Sequence, residues 1–267
     1  MISNCAHDEN GRYTGGRAGD QNSEWIIRSW YNRPWDCVLV YPEKRVRTMI
    51  SDFAIMGANN NHIGYNQGDR YSFERELEKV NNPSEITKDC NTDCSASTIA
   101  IIRAVGRTLN IDKLKNFNRE FKNQYTGTIK QAAINAGFRV YTSDKYTKSE
   151  KYIEPGYILL NVAHHVTIDV GNGKLQSNYT KKVTKVTESK TPQYKESGYN
   201  LYDVKYGDKG EVVKFLQTLL TAEGTYNGQI DGIAGIQTIK AIADYQVRLK
   251  TVTCGHGTWK RLISDNK

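Results

Sequence analysis

Apolar and polar positions change rhythm several times along the chain. In CSASTIAIIRAVGRTL, residues 94–109, Thr98, Ile101, Ile102 and Val105 recur at the spacing of one helical face, which predicts an amphipathic helix. Asp93 and Ser95 stand where a helix start takes an acceptor side chain. A short helix is expected over Tyr71–Val80, and another over Thr128–Ala136, closed by Gly137. The rhythm then shortens. Phe138–Tyr141, Tyr157–Val162 and His165–Val170 read as strands, and the turn at 171–174 leads to a further strand near Leu175–Tyr179. A helical lobe followed by a strand series predicts an α+β fold. Residues 1 to about 70 are less regular, rich in Gly, Asn and aromatic side chains, with Trp25, Trp30 and Trp35 close together. They read as a loop-rich lobe anchored by aromatics, or alternatively as the wall of a substrate cleft.

From residue 180 to about 202 Lys, Thr, Ser and Tyr take over and the apolar period fades, so the later part reads as a linker. Beyond it VVKFLQTLL and TIKAIADYQ predict two short amphipathic helices around the Gly-rich loop YNGQIDGIAG. The expected organisation is a larger domain over 1–185, a linker over 186–202 and a small domain over 203–267.

Composition agrees with a medium and a small globular domain: 267 residues, 38% hydrophobic, 25% charged, with only five Pro to suggest disorder. No stretch approaches the roughly 18 apolar residues of a membrane span. The opening residues show no apolar region of a secretory signal, so folding in a reducing cytoplasm is expected, with the five Cys as free thiols. The net charge of +8 suits an anionic partner. No zinc-finger spacing and no long basic run favours nucleic acid, which leaves an anionic polymer such as a cell wall.

The segment KDCNTDCSASTIAII carries the strongest chemical signal. A Cys just ahead of an amphipathic helix meets converging backbone N–H groups, and the helix dipole favours its thiolate, the nucleophilic form. The same N–H groups can serve an oxyanion. Cys94 has that position, and Cys90 falls in the preceding loop. A small buried core Cys is the plainer reading. Cys90 and Cys94 offer only two zinc ligands with no second pair, so neither a metal nor another cofactor is expected.

A nucleophilic thiol needs a base. The His residues are 7, 62, 164, 165 and 256. In a strand, His164 shares a face with Val166, Ile168 and Val170, a core pattern, whereas His165 shares the other with Thr167 and Asp169, which reads as an open site. His165 is therefore the better base and His164 a structural residue or a rim contact. A second pair, Cys5 with His7, matches no nucleophile–helix pattern. The partner orienting the base is sought on the strand running back beside it, where Asn178 is preferred over Gln176.

Cys before a helix, His on a strand and a polar group on the next strand: this order resembles papain-like cell-wall peptidases of the NlpC superfamily, with the related CHAP domains and phage amidases. DCSAS at 93–97 is similar to the family's nucleophile motif, and HVTIDVGNGK at 165–174 to its strand-turn motif. The family's third residue is often a His about twelve positions after the base, where this chain has Ser177 between Gln176 and Asn178. A Tyr upstream of the Cys near the oxyanion site is a family feature, and Tyr65 is its counterpart here. The stretches NCAHDENGRYTGG and AGDQ resemble a lineage of phage lysins. In the tail, Gly207, Gly210, Val213, Leu216, Gln217, Asp231-Gly232, Gly235, Thr238, Ala241, Tyr245, Gln246 and then Gly257, Thr258, Trp259 and Leu262 resemble a three-helix peptidoglycan-binding domain of type one.

These resemblances imply a papain-like domain joined to an all-α wall-binding domain. They imply a phage endolysin that cuts an amide bond of the stem peptide through Cys94, His165 and Asn178. Tyr65, Asp93, Ser95, His164 and Gln176 are expected to contact substrate. A D-glutamyl endopeptidase is favoured, with an N-acetylmuramoyl-L-alanine amidase next. A non-catalytic wall-binding protein and a zinc amidase are readings of other classes. The expected partner is bacterial peptidoglycan, as substrate and anchor, with no nucleic acid and no membrane span. A monomer is expected, held in the host cytoplasm until release to the wall.

Overall fold

The computed structural model describes residues 1–162, 164–175, 194–196, 199–246 and 254–265. Contacts divide the chain into a larger unit, Met1–Gln176 apart from Thr108–Asn110, and a smaller one from Ser177 onward.

The strands of the larger unit are three to five residues long, so each depends on its neighbours for stability. In chain order the elements are β1 (Ile2–Cys5), β2 (Trp25–Arg28), β3 (Cys37–Val40), α1 (Lys44–Ala58), β4 (Ile63–Tyr65), α2 (Ser72–Val80) and β5 (Cys90–Thr92). Then come α3 (Cys94–Leu109), α4 (Asp112–Lys115), α5 (Thr126–Ala136), β6 (Arg139–Tyr141), α6 (Asp144–Thr147), β7 (Ile158–Asn161) and β8 (His165–Asp169). Six strands form one antiparallel sheet in the order β2-β1-β8-β7-β3-β6. The helix expected at 94–109 has those bounds, and Gly137 ends α5 at φ +94°. The strand expected near Leu175–Tyr179 lies, beyond Leu175, outside the described residues.

The first seventy residues are not the loop-rich lobe expected of them. They supply β1, β2 and β3, half of the central sheet, and the fifteen-residue helix α1. Register assigns the two sheet faces. Ser3, Ile158, Leu160, Val166 and Ile168 share one face, and the Ser3 hydroxyl there donates to the Ala54 carbonyl of α1 at 3.3 Å. The other face carries Ile2, Asn4, Val38, Leu159, His165 and Thr167. Its core of Ile2, Trp35, Val38, Val40 and Leu159 is covered by Trp30, Tyr31, Tyr141, Tyr146 and Tyr157. Beyond His165 itself, the face expected to be open is roofed by aromatics, and Thr167 and Asp169 are buried.

Helix α3 is fastened from the side. The buried Arg103 guanidinium donates to both Glu74 carboxylate oxygens of α2 (2.7 and 2.9 Å), to the Phe117 carbonyl and to the Gln124 side chain. All five donors of Arg demand partners once buried, and this set ties three segments to the helix that begins with Cys94. A second, parallel pair joins β4 to β5 with Tyr65 opposite Thr92. That register carries Tyr65 to within two residues of the α3 start.

The smaller unit holds a hairpin of β9 (Tyr194–Glu196) and β10 (Tyr199–Leu201), then α7 (Glu211–Ala222), α8 (Ile236–Tyr245) and α9 (His256–Asp265). The hairpin occupies the later part of the expected linker, of which residues 186–193 and 197–198 lie outside the described residues. Val213, Leu216, Leu220, Ile239, Ile242, Trp259 and Leu262 make its core, and the Trp259 indole donates to the Tyr202 carbonyl at 3.0 Å. No described helix in either unit is long and apolar enough to cross a membrane.

Candidate active site

Asp93 builds the start of α3. Its Oδ1 accepts the N–H groups of Ser95 (2.9 Å) and Ala96 (2.8 Å), the donors that a helix start leaves without partners. Arg70 locks the cap: its Nε lies 3.0 Å from Asp93 Oδ2, and its Nη2 donates to Asp93 Oδ1 and Ser95 Oγ. Asp93 and Ser95 are both buried in this arrangement and neither lines the adjoining cavity. The Ser95 and Ala96 amides are engaged by the carboxylate, so the Cys94 N–H is the helix-start amide that Asp93 does not take.

Cys94 sits at the mouth of the helix with 8% of its surface exposed. Burial pushes its thiol up to about 12, helped by the Asp93 charge, while the Val166 N–H, the Arg70 charge and the Ser95 N–H pull the other way. The dipole and amides that favour a thiolate are outweighed by desolvation. The Cys94 side chain rests as a thiol. Val166 directly follows His165 on β8, so the contact with its N–H brings the thiol against that end of the strand.

His165 is 5% exposed. Burial, with the nearby Arg33 charge, pushes its pKa down to about 4, which keeps the ring neutral. Its Nε2 lies 2.9 Å from Asn4 Oδ1. An amide oxygen only accepts, so Nε2 carries the proton and Nδ1 keeps its lone pair. Tyr31 donates a second bond to the same oxygen at 3.3 Å, and Trp35 stacks on the imidazole with centroids 6.2 Å apart. The β1–β8 register, continued one residue, sets Asn4 opposite Thr167 and therefore on the His165 face.

Cys94 and His165 open together into one cavity of about 570 Å³. Tyr65, Gln67, His7 and His164 line it as well. The Tyr65 hydroxyl accepts from the Gln67 amide at 3.2 Å, and burial and the neighbouring Cys94 push its pKa up. It stays a protonated donor at any physiological pH. The loop holding Asp8–Asp20 forms the rim. Asn66 fastens it by donating to the Gly16 carbonyl at 2.8 Å, and Gly64 approaches Gly19 so closely that any Cβ would strike its carbonyl. The Gly-rich stretch thus shapes the cavity mouth.

His164 is exposed in the turn ahead of β8 rather than on the strand. Gln176 and Asn178 lie outside the described residues. Cys5 is fully buried, and burial raises its thiol well above the ordinary range. His7 turns its Nδ1 to the Asp8 carbonyl at 3.0 Å. His62 pairs with Asp89, and His256 belongs to α9. Of the three Trp, Trp25 is buried with its indole donating to Ser3, and none lines the cavity. Among the described residues, no group of three or more His, Cys, Asp or Glu is placed to hold a metal ion. Sequence reasoning missed Asn4, Gln67 and Arg70. Asn4 carries no local signal, since its partner lies 161 residues away.

A buried thiol at a helix start, a neutral imidazole with a fixed tautomer and a protonated phenol share one cavity, an arrangement suited to acyl transfer. A family model described as Endolysin-like domain matches residues 2–176, which include all of these groups. The chain belongs to that family. No curated protein and no solved structure matches it.

Proposed function

We propose that this member of the endolysin-like family is a cell-wall hydrolase that cuts an amide bond of the peptidoglycan stem peptide through a Cys94–His165 thiol mechanism, acting as a D-glutamyl endopeptidase. Family membership supports the hydrolase class. The observation that carries the thiol mechanism is the fixed His165 tautomer in the cavity onto which Cys94 opens. The arrangement, a Cys-bearing helix meeting a His-bearing antiparallel sheet, supports a papain-like ancestry.

In this mechanism the Cys94 sulfur attacks the amide carbonyl as its proton passes to His165 Nδ1. The two groups rest neutral, so transfer accompanies attack rather than preceding it. The Cys94 N–H and the Tyr65 hydroxyl are the donors proposed for the developing oxyanion. Asn4 holds Nε2–H and stabilises the imidazolium, which returns its proton to the leaving amine. Water then attacks the thioester, giving its proton to His165, and the regenerated thiol leaves. The three-helix unit is proposed to hold the enzyme on the wall, raising local substrate concentration.

The test is turbidity loss of purified cell walls with the wild type and Cys94→Ala, followed by mass spectrometry of the fragments. Clearing by the wild type alone is expected, with a new amino terminus on the residue after D-glutamate. A new amino terminus on L-alanine assigns the amidase bond instead. Clearing by Cys94→Ala at the wild-type rate overturns the thiol mechanism.

A further inference from the structure

The wall of the cavity contains two guanidinium groups that the proposed chemistry does not use. Arg28 closes β2 and Arg33 lies in the loop that follows, and both line the cavity beside His165. Among the described residues, neither forms an ion pair or a side-chain hydrogen bond. Arg28 is held in place by the Tyr31 ring, 4.9 Å from its guanidinium carbon. Tyr31 in turn bonds Asn4, so Arg28 is preorganised against the same framework that fixes the base. The one acidic residue in the wall is Glu24. It is 1% exposed and its carboxylate is occupied by the backbone N–H groups of Tyr65 and Gln21. The charge facing the cavity is therefore positive.

We propose that Arg28 and Arg33 form an anion subsite that holds a free carboxylate of the bound peptide next to the scissile amide, so that carboxylate-bearing stem peptides are preferred over their carboxamides. The chemistry favours a carboxylate because a planar guanidinium matches it in two-point geometry, and an amide offers only one acceptor and no charge. A D-glutamyl residue linked through its γ-carboxyl keeps an α-carboxylate a few bonds from the cut. The inference builds on the hydrolase reading and names the substrate feature that this site selects.

Two synthetic stem peptides, identical except for a free carboxylate or a carboxamide on the D-glutamyl residue, test it on the full chain. Hydrolysis is followed with the wild type, Arg28→Gln, Arg33→Gln and Arg33→Lys. Binding is followed separately on Cys94→Ala by calorimetry. The wild type is expected to prefer the carboxylate peptide by roughly tenfold or more in kcat/KM, the size of a charge-assisted bond. Each Gln variant is expected to collapse that ratio toward one, chiefly through KM, and Arg33→Lys to keep part of it. Cys94→Ala is expected to bind the carboxylate peptide roughly tenfold more tightly. Equal binding of the two peptides by Cys94→Ala, or a preference that survives in both Gln variants, overturns the subsite. Selective binding without any hydrolysis by the wild type upholds the subsite and overturns the hydrolase reading.

Discussion

His165 Nε2 and Asn4 Oδ1 meet at 2.9 Å across two adjacent strands although 161 residues separate them. The bond fixes which ring nitrogen is free, and in the proposed mechanism it offers a dipole to the imidazolium that attack would create. Asn4 is a positioning residue on this account. Asn4→Ala is expected to lower kcat by about ten- to a hundredfold with KM little changed. Asn4→Asp tells positioning from mere packing. A carboxylate there stabilises the protonated ring, so the acid limb of the pH profile moves up from about 4. An acid limb that stays in place in Asn4→Asp removes Asn4 from the mechanism.

The pH profile of the wild type follows from the two buried groups. His165 accepts a proton only while neutral, and its pKa is pushed down to about 4. Cys94 is pushed up to about 12. Hence kcat/KM is expected to stay level from about pH 5 to about pH 10 and to fall on the acid side as His165 protonates. Iodoacetamide labelling mapped to Cys94 checks the resting state. Labelling should be slow at neutral pH and rise with pH throughout, and a plateau near neutrality would reveal a preformed thiolate.

The same imidazole links stability to acidity. Its folded pKa of about 4 lies below the ordinary 6.5 of the unfolded chain. The unfolded state therefore binds the proton first as pH falls. Stability is full above about 6.5, declines through that window and has lost about 3 kcal/mol once pH passes below the folded value. Urea unfolding of the wild type and His165→Gln at pH 7 and pH 4.5 measures it. The wild type should lose more stability between the two pH values than the variant.

Arg103 holds the helix that begins with Cys94 through Glu74 at 2.7 and 2.9 Å and through two further acceptors. Arg103→Ala strands those acceptors and, among the described residues, leaves Glu74 with the half-exposed Arg119, 3.8 Å away, as its ion-pair partner. A loss of about 3 kcal/mol in unfolding free energy is expected, the scale for breaking a buried pair from one side. The double variant Arg103→Met, Glu74→Leu should recover a large part of it. Equal losses in the single and double variants would show that packing, not the stranded charge, sets the cost.

Legibility in the sequence followed the range of the interaction. The α3 period, the Gly137 stop and strands β6 to β8 are local patterns, and each appears within a residue or two of its expected place. Helix α1 was also readable: Val46, Met49, Ile50 and Phe53 share one helical face and are fully buried. The surrounding glycines and aromatics obscured it. Strands β1 and β2 are four residues each, too short to display alternation. The place of β1 beside β8, with β2 beyond it at the edge, is a long-range pairing that no local pattern encodes. The same holds for Asn4 and for the β4–β5 register that carries Tyr65 toward Cys94. The thiol's resting state is hidden for another reason: the helix start whose dipole favours a thiolate is visible in DCSAS, but the desolvation that opposes it is a property of the packed site.

The smaller unit offers a test that leaves the cavity untouched. Gln217 of α7 is fully buried, and its amide nitrogen lies 2.9 to 3.1 Å from acceptors on Tyr226, Asp231, Ile233 and Thr238. Its oxygen accepts the Gly232 N–H at 2.8 Å. Gly232 takes φ +75° against the Lys214 side chain, where a Cβ would clash. The Gln and the Asp-Gly pair of the tail motif are therefore one hydrogen-bonded device that shapes the loop between α7 and α8. Gln217→Ala removes its centre and leaves several buried partners unsatisfied, a cost of about 2–4 kcal/mol to this unit. If this unit is the wall anchor, pull-down on purified walls should weaken at least tenfold in Gln217→Ala, while cleavage of a soluble stem peptide stays at the wild-type rate. Undiminished wall binding by a variant whose small unit has melted, as read by Trp259 fluorescence, would assign wall attachment to the larger unit instead.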